Sequence, residues 1–172
     1  MSIDVGLLVV RLALGFVLFV HGTQKLFAWF HGPGMVKAPM IFEGLGQRPG
    51  PAMARLAATC ELAAAVLLAL GAAVPLGVAI AVGTMLVAGF AATLKAGRVW
   101  AAAGGGELPF VLAVMAATLA FTGPGGWSLD AATGAPWHPA DIGTGIAALV
   151  VAVLAAAGPM VRTTRALRPA RT

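Results

Sequence analysis

The sequence predicts an all-α fold, a polytopic membrane bundle of five helices. Of the 172 residues, 60% are hydrophobic and only 10% are charged, whereas about a quarter of the residues in soluble domains are charged. Mean hydropathy is +0.95, and the apolar residues form runs that approach the 20 or so residues a helix needs to cross a bilayer. The net charge of +5 is carried by short loops and a C-terminal tail, a pattern typical of membrane topology rather than of nucleic-acid binding.

Five apolar runs, separated by segments rich in glycine and proline, define one integral membrane domain over residues 1–172. The first run has no basic segment before it, so we expect it to be retained as a membrane span rather than cleaved as a signal peptide. The second and third runs are joined by a very short hairpin and should be antiparallel neighbours. The fourth run is short for a bilayer and needs support from its neighbours or local thinning. The predicted spans are residues 5–30, 52–71, 76–94, 108–122 and 140–161, followed by a basic tail over 162–172.

Lysine and arginine are distributed unevenly among the predicted loops. Loops one and three and the tail carry them, whereas loops two and four have none. With five spans these basic segments share one side, which the positive-inside rule assigns to the cytoplasm, so we expect the N-terminus outside. Tryptophans at both predicted interfaces fit an aromatic belt. The basic residues are Lys37, Arg48, Arg55, Lys95, Arg98, Arg162, Arg165, Arg168 and Arg171, and the tryptophans are Trp29, Trp100, Trp127 and Trp137.

Charged side chains inside the first two spans need partners in the bilayer. One stripe of the first helix should face the bundle interior, because its glycines let another backbone approach. Glu61 lies near the middle of span two, where a lone carboxylate is costly unless protonated or paired. Counting turns from the outer ends gives Arg11 a similar depth, so we predict an Arg11–Glu61 ion pair, which either fixes helix register or lines a ligand or proton path. The stripe contains Arg11, Gly15, Leu18, Gly22, Lys25 and Trp29.

A second polar group lies toward the inner end of span one. His21 and Lys25 are four residues apart, and Glu43 follows in the glycine-rich first loop. We predict that these three side chains line a pocket that opens toward the inner face. Two alternatives stay open, because Lys25 could extend its amine to the membrane surface and Glu43 could be a solvated loop acid. Glu107 begins the fourth span, where the helix dipole favours a carboxylate.

No motif indicates a metal, a nucleotide or a covalent nucleophile. Cys60 is the only cysteine, and its apolar surroundings suggest a small buried hydrophobe. His31 and His138 have no second ligand at metal-binding spacing, so we expect no metal site. The triple glycine before Glu107 lacks the lysine and the spacing of a phosphate-binding loop.

Five short motifs follow one another along the chain. They are His21-Gly22 with Lys25-Leu26-Phe27, Phe42-Glu43, Glu61, Glu107-Leu108-Pro109, and Thr122 to Gly125 with Ser128-Leu129-Asp130. In this order they resemble the DoxX family of bacterial membrane proteins, within the wider DoxX/DoxD-like group, over residues 1 to 130. Family members usually end after four spans, so the fifth span is a departure. Ala28-Trp29 also stands where the family often has Phe-Gly.

The resemblance implies a redox-associated function in a bacterial inner membrane, since relatives include the membrane subunit of thiosulfate:quinone oxidoreductase. This chain has no obvious electron carrier, so it would have to bind a quinone, non-covalently, or rely on a soluble or membrane oxidoreductase partner. Arg11, His21 and Lys25 would then donate hydrogen bonds to the quinone. Glu61 or Glu43 would take up protons. A non-catalytic scaffold or assembly factor and a small-solute or proton pathway stay open as other functions, as does a homo-oligomer.

Overall fold

A computed structural model describes residues 2–135 and 141–167. Within these residues the chain forms seven α-helices and no strand. The helices are α1 (Ser2–Phe27), α2 (Gly34–Gly44), α3 (Gly50–Leu70), α4 (Val74–Ala96), α5 (Glu107–Thr122), α6 (Leu129–Thr133) and α7 (Ile142–Leu167). In the described part of the chain α1, α3, α4 and α7 are long and apolar enough to cross a bilayer, and α5 is a shorter apolar helix of 16 residues. The predicted all-α membrane bundle is confirmed.

Consecutive long helices of the bundle are antiparallel, whereas α4 and α7 run in the same direction. Helix α1 packs against α3, α3 against α4, and α4 against both α5 and α7, while α5 also reaches α1 and α7. In a bilayer such helices associate through close packing and hydrogen bonds rather than hydrophobic burial, which favours small residues at the contacts. Small side chains from α3, α4, α5 and α7 accordingly fill much of the interior. Buried core residues include Leu14, Leu18, Ala64, Leu68, Val78, Met85, Ala116, Leu119 and Ala152.

Two glycines of α1 set its register against α3. A Cβ added to Gly22 would lie 2.7 Å from Cγ of Leu62, and one added to Gly15 would lie 3.0 Å from the carbonyl oxygen of Ala65. Neither position has room for a side chain, so the two backbones approach closely there. The prediction that the glycine-bearing stripe of α1 faces the interior is confirmed for its buried members, Arg11, Gly15, Leu18 and Gly22. It is wrong for Trp29, which lies beyond the end of α1 and is 53% exposed.

The first predicted loop contains a helix that the sequence did not predict. Helix α2 packs against α1 and α3, and its flanking glycines and internal Pro39 had suggested irregular structure. Helix α1 ends at Phe27 instead of the predicted Phe30, because Ala28 and Phe30 adopt left-handed backbone conformations.

Helix α7 is longer than the predicted fifth span. It continues to Leu167, so Arg162 and Arg165 lie on its last turns rather than in an irregular tail. Contacts to the loop between α2 and α3 hold this extension, as described below. The predicted interface residue Trp137 and the loop residue His138, with Arg168 and Arg171, lie outside the described residues.

Charge divides the two ends of the bundle. The C-terminal ends of α4 and α7, helix α2 and the start of α3 meet at one end, which we call the basic end. Asp4, Asp130 and Asp141 lie at the opposite end, near the start of α1, α4 and α7. The exposed basic residues of the basic end are Lys37, Arg48, Arg55, Lys95, Arg98, Arg162 and Arg165.

Candidate functional site

An ion pair between α1 and α3 is the central polar contact of the bundle. The Nζ atom of Lys25 donates to Oε1 and Oε2 of Glu61 at 2.7 and 2.6 Å, and to the backbone carbonyl of His21 at 3.3 Å. Glu61 is 2% exposed, whereas the Lys25 side chain is 20% exposed. The carboxylate is therefore held inside the bundle while the ammonium reaches its surface.

The predicted Arg11–Glu61 pair is wrong. Because α1 runs antiparallel to α3 in the register set by Gly15 and Gly22, Glu61 faces Lys25 near the C-terminal end of α1. Arg11 instead faces the C-terminal end of α3. Counting turns from assumed span ends could not fix this register, whereas the two glycines of the stripe carried the signal.

Arg11 binds backbone carbonyl groups. Its Nη1 atom donates to the carbonyls of Leu68 at 3.4 Å and Ala69 at 3.3 Å, and Nη2 donates to the carbonyl of Trp127. The last carbonyls of a helix lack intrahelical donors and carry partial negative charge, which a guanidinium can balance. Gly71 makes room for the guanidinium, since a Cβ there would overlap Nη1. Arg11 thus ties α1, the end of α3 and the loop after α5 together.

A carboxylate completes this junction at the start of α4. Asp130 accepts hydrogen bonds from the backbone nitrogens of Ala73 at 2.7 Å and Val74 at 2.9 Å, and its own nitrogen donates to the carbonyl of Gly71. The negative charge at a helix N-terminus is favourable. This role of Asp130 was not predicted from the sequence; Ser128, the N-cap of α6, begins the short helix that holds it.

His21 lies beside the Lys25–Glu61 pair, one helical turn before Lys25. The residue is half-buried, and the side chain has no hydrogen-bond partner within residues 2–135 and 141–167. Cys60, also half-buried, precedes Glu61 on α3. The pair, the imidazole and the thiol together form what we call the α1–α3 polar site.

Glu43 and Glu107 serve helix starts instead. The Glu43 carboxylate accepts from the backbone nitrogen of Gly50, the first residue of α3, at 3.2 Å, and is not among the groups that Lys25 contacts. The predicted approach of Glu43 to His21 and Lys25 is therefore not what the structure shows. Glu107 is the first residue of α5 and accepts from the nitrogen of Ala101 at 2.9 Å, in line with the helix-start role.

Several apolar helices of spanning length pack in one bundle, and its buried charged side chains are hydrogen-bonded within the described chain. These features define a multi-pass helical membrane protein. The sequence model of the DoxX family matches residues 6–94, slightly more than half of the chain, and the chain belongs to this family. The match includes Lys25, Glu61 and Gly71 and ends before α5. No curated protein and no solved structure matches the chain.

Proposed function

We propose that the chain is the membrane subunit of a quinone-linked oxidoreductase system in a bacterial inner membrane. In this proposal the α1–α3 polar site holds the quinone head group. The observation that carries it is the half-buried imidazole of His21, which lacks a hydrogen-bond partner in the described residues yet lies one turn from a buried ion pair.

The donor set of the site suits a quinone head group. A quinone carbonyl needs a hydrogen-bond donor in otherwise apolar surroundings, and His21 offers one. The Lys25 ammonium is engaged by Glu61 and the His21 carbonyl, so we assign it to holding the carboxylate in place. Arg11 already donates to the carbonyls at the end of α3, so it is not a quinone donor in this proposal, contrary to the prediction from the sequence.

The residues of the site can also handle protons. A bound quinone would supply a two-electron, two-proton acceptor, with electrons delivered by a partner oxidoreductase. The imidazole of His21 can take up and release a proton at a ring nitrogen. Glu61 can accept a proton at a carboxylate oxygen when the Lys25 ammonium turns away from it. The Lys25 side chain is 20% exposed, so it has room to turn away.

A non-catalytic scaffold is the second candidate, and one observation favours it. Arg11, Lys25 and Glu61 all find partners inside the chain, as expected of charges that only fix helix register. The two candidates differ in one respect. A scaffold needs no accessible donor at His21, whereas quinone binding does.

Quinone titration of the protein in lipid nanodiscs separates the two candidates. We expect saturable quenching of tryptophan fluorescence by a short-chain quinone analogue, and loss of about 1.5–3 kcal/mol of binding free energy, more than tenfold in affinity, in His21→Phe, which keeps a ring but removes the donor. The control is His31→Asn, which removes an exposed imidazole in the segment between α1 and α2. Asparagine tolerates the left-handed backbone of that position. Unchanged binding by His21→Phe, with helix content preserved, would exclude His21 as the donor. Non-saturable quenching of the unmodified protein would exclude a quinone site and favour the non-catalytic scaffold.

A further inference from the structure

The last turns of α7 are fixed to the loop between α2 and α3 by a buried polar latch. The Nε2 atom of Gln47, which is 4% exposed, donates to the carbonyl of Pro159 at 2.7 Å and to Oγ1 of Thr163 at 2.9 Å. The Thr163 hydroxyl in turn donates to the carbonyl of Leu45 at 2.9 Å. A Cβ on Gly46 would overlap that of Ala166, so loop and helix are in direct contact. The latch gives the C-terminal extension of α7 a defined position.

Three exposed arginines lie next to the latch residues along the chain. Arg48 lies in the loop beside Gln47, and Arg162 and Arg165 lie on the last two turns of α7. In the part of the chain that the structure describes, none of the three forms an ion pair with a carboxylate, and Nη1 of Arg162 donates to the thioether sulfur of Met53 at 3.9 Å. We call Arg48, Arg162 and Arg165 the arginine cluster. Its charge is not balanced within residues 2–135 and 141–167.

The length of α7 places the cluster at the depth of lipid head groups. Its 26 residues span about 39 Å at 1.5 Å per residue, against about 30 Å for the hydrocarbon core. The side chains change from apolar to basic within one residue, since Val161 is 48% exposed and Arg162 follows it. Leu154 is also exposed and shares a helix face with Val161 and Arg165, at the 100° per residue of an α-helix.

We propose that the arginine cluster binds the phosphate of an anionic phospholipid. Guanidinium groups form bidentate, charge-assisted hydrogen bonds with phosphate oxygens. One acyl chain would lie along the apolar face of α7 that carries Leu154 and Val161. Basic sites between membrane helices at the cytoplasmic side are suited to anionic lipids, which are enriched there. The lipid would join α7 to the α2–α3 loop, and this site is independent of the quinone proposal.

An acidic soluble protein is the competing partner for a basic surface. The depth of the cluster and its continuity with an exposed apolar helix face favour the lipid, because a soluble protein would meet neither hydrocarbon nor interface. A test must therefore compare a lipid with a water-soluble polyanion at the same site.

Native mass spectrometry of the full chain in a neutral detergent tests the proposal. We expect phosphatidylglycerol to stay bound while phosphatidylcholine dissociates. The double substitution Arg162→Gln with Arg165→Gln should weaken phosphatidylglycerol binding by about tenfold or more. The control is Lys95→Gln with Arg98→Gln, which removes the same charge at the end of α4 and should leave binding unchanged. Arg48→Gln, a loop substitution that leaves α7 intact, should also weaken binding.

Three results would overturn the proposal. Equal loss in the cluster variants and in the control pair would mean that only net charge matters. Equal retention of both lipids by the unmodified protein would mean that the phosphate-bearing anion is not selected. Displacement of phosphatidylglycerol by oligoglutamate, but not by inorganic phosphate, would assign the cluster to an acidic protein partner.

Discussion

The ammonium of Lys25 lies within 2.7 Å of both carboxylate oxygens of Glu61, and this contact joins the end of α1 to the middle of α3. Both groups belong to the segment matched by the DoxX family. Since Glu61 is 2% exposed, its charge depends on Lys25 for compensation. The pair is thus both a packing element and the charged part of the proposed quinone site.

Removing either member of the pair should destabilise the protein. Lys25→Met or Glu61→Leu leaves an uncompensated buried or half-buried charge, at a cost of about 3–5 kcal/mol. The double substitution should recover much of this loss, because no lone charge remains. Thermal unfolding in detergent measures each variant.

The same comparison of single and double substitutions, with Arg11 in place of Lys25, is the matched control. Arg11→Leu and Glu61→Leu should be additive, because Arg11 contacts carbonyls of Leu68 and Ala69 rather than the carboxylate. A strong coupling between Arg11 and Glu61, with none between Lys25 and Glu61, would contradict the structure.

Gly71 should tolerate alanine far less well than Gly97. Both have positive φ, +64° and +69°, so an added Cβ costs each about 1–2 kcal/mol. At Gly71 the Cβ would also overlap Nη1 of Arg11, whereas at Gly97 nothing lies within 4 Å. We expect Gly71→Ala to lose about 1–3 kcal/mol more than Gly97→Ala, through weakened hydrogen bonds of Arg11. Equal melting temperatures would show that the guanidinium is not held there.

Gly22→Ala should push α1 away from α3, while Gly6→Ala should not. The added methyl would lie 2.7 Å from Leu62 at Gly22 but meet nothing within 4 Å at Gly6, on the same helix. Overpacking costs about 1–3 kcal/mol, whereas alanine in an open helix position gains up to about 1 kcal/mol. Denaturation in a mixed micelle compares the two, and a neutral Gly22→Ala would refute the close approach.

The proposed topology has the basic end in the cytoplasm and the N-terminus outside. Alkaline phosphatase fused after Arg171 should be inactive, because it folds only outside the cytoplasm, while phosphatase inserted at Gly134, in the turn after α6, should be active. High activity of the Arg171 fusion would overturn the five-span arrangement.

The sequence predicted the helices more accurately than their contacts. Composition and run length identified α1, α3, α4, α5 and α7, because a bilayer demands apolar helices of a set length. The ion pair was assigned wrongly, because residue spacing gives the face of one helix but not its register against another. Gln47 and Thr163 gave no signal, since a buried latch between a loop and a distant helix has no local pattern.

Helix α2 was missed for a different reason. Its glycines and Pro39 favour a loop by local propensity, and packing against α1 and α3 overrides that propensity. Asp130 was likewise found only through tertiary structure, since its carboxylate accepts from two backbone nitrogens at the start of α4, 57 and 56 residues earlier in the chain.

The central claim, that the α1–α3 polar site holds a quinone, is tested most directly by the molecules that leave the membrane with the protein. The protein should be purified in mild detergent from cells making the unmodified chain, His21→Phe or His31→Asn, and the extracted small molecules identified by mass spectrometry. We predict a quinone near one per chain for the unmodified protein and the His31→Asn control, and a clear loss for His21→Phe. Equal amounts of quinone in all three, at the level of the surrounding lipid extract, would contradict the account.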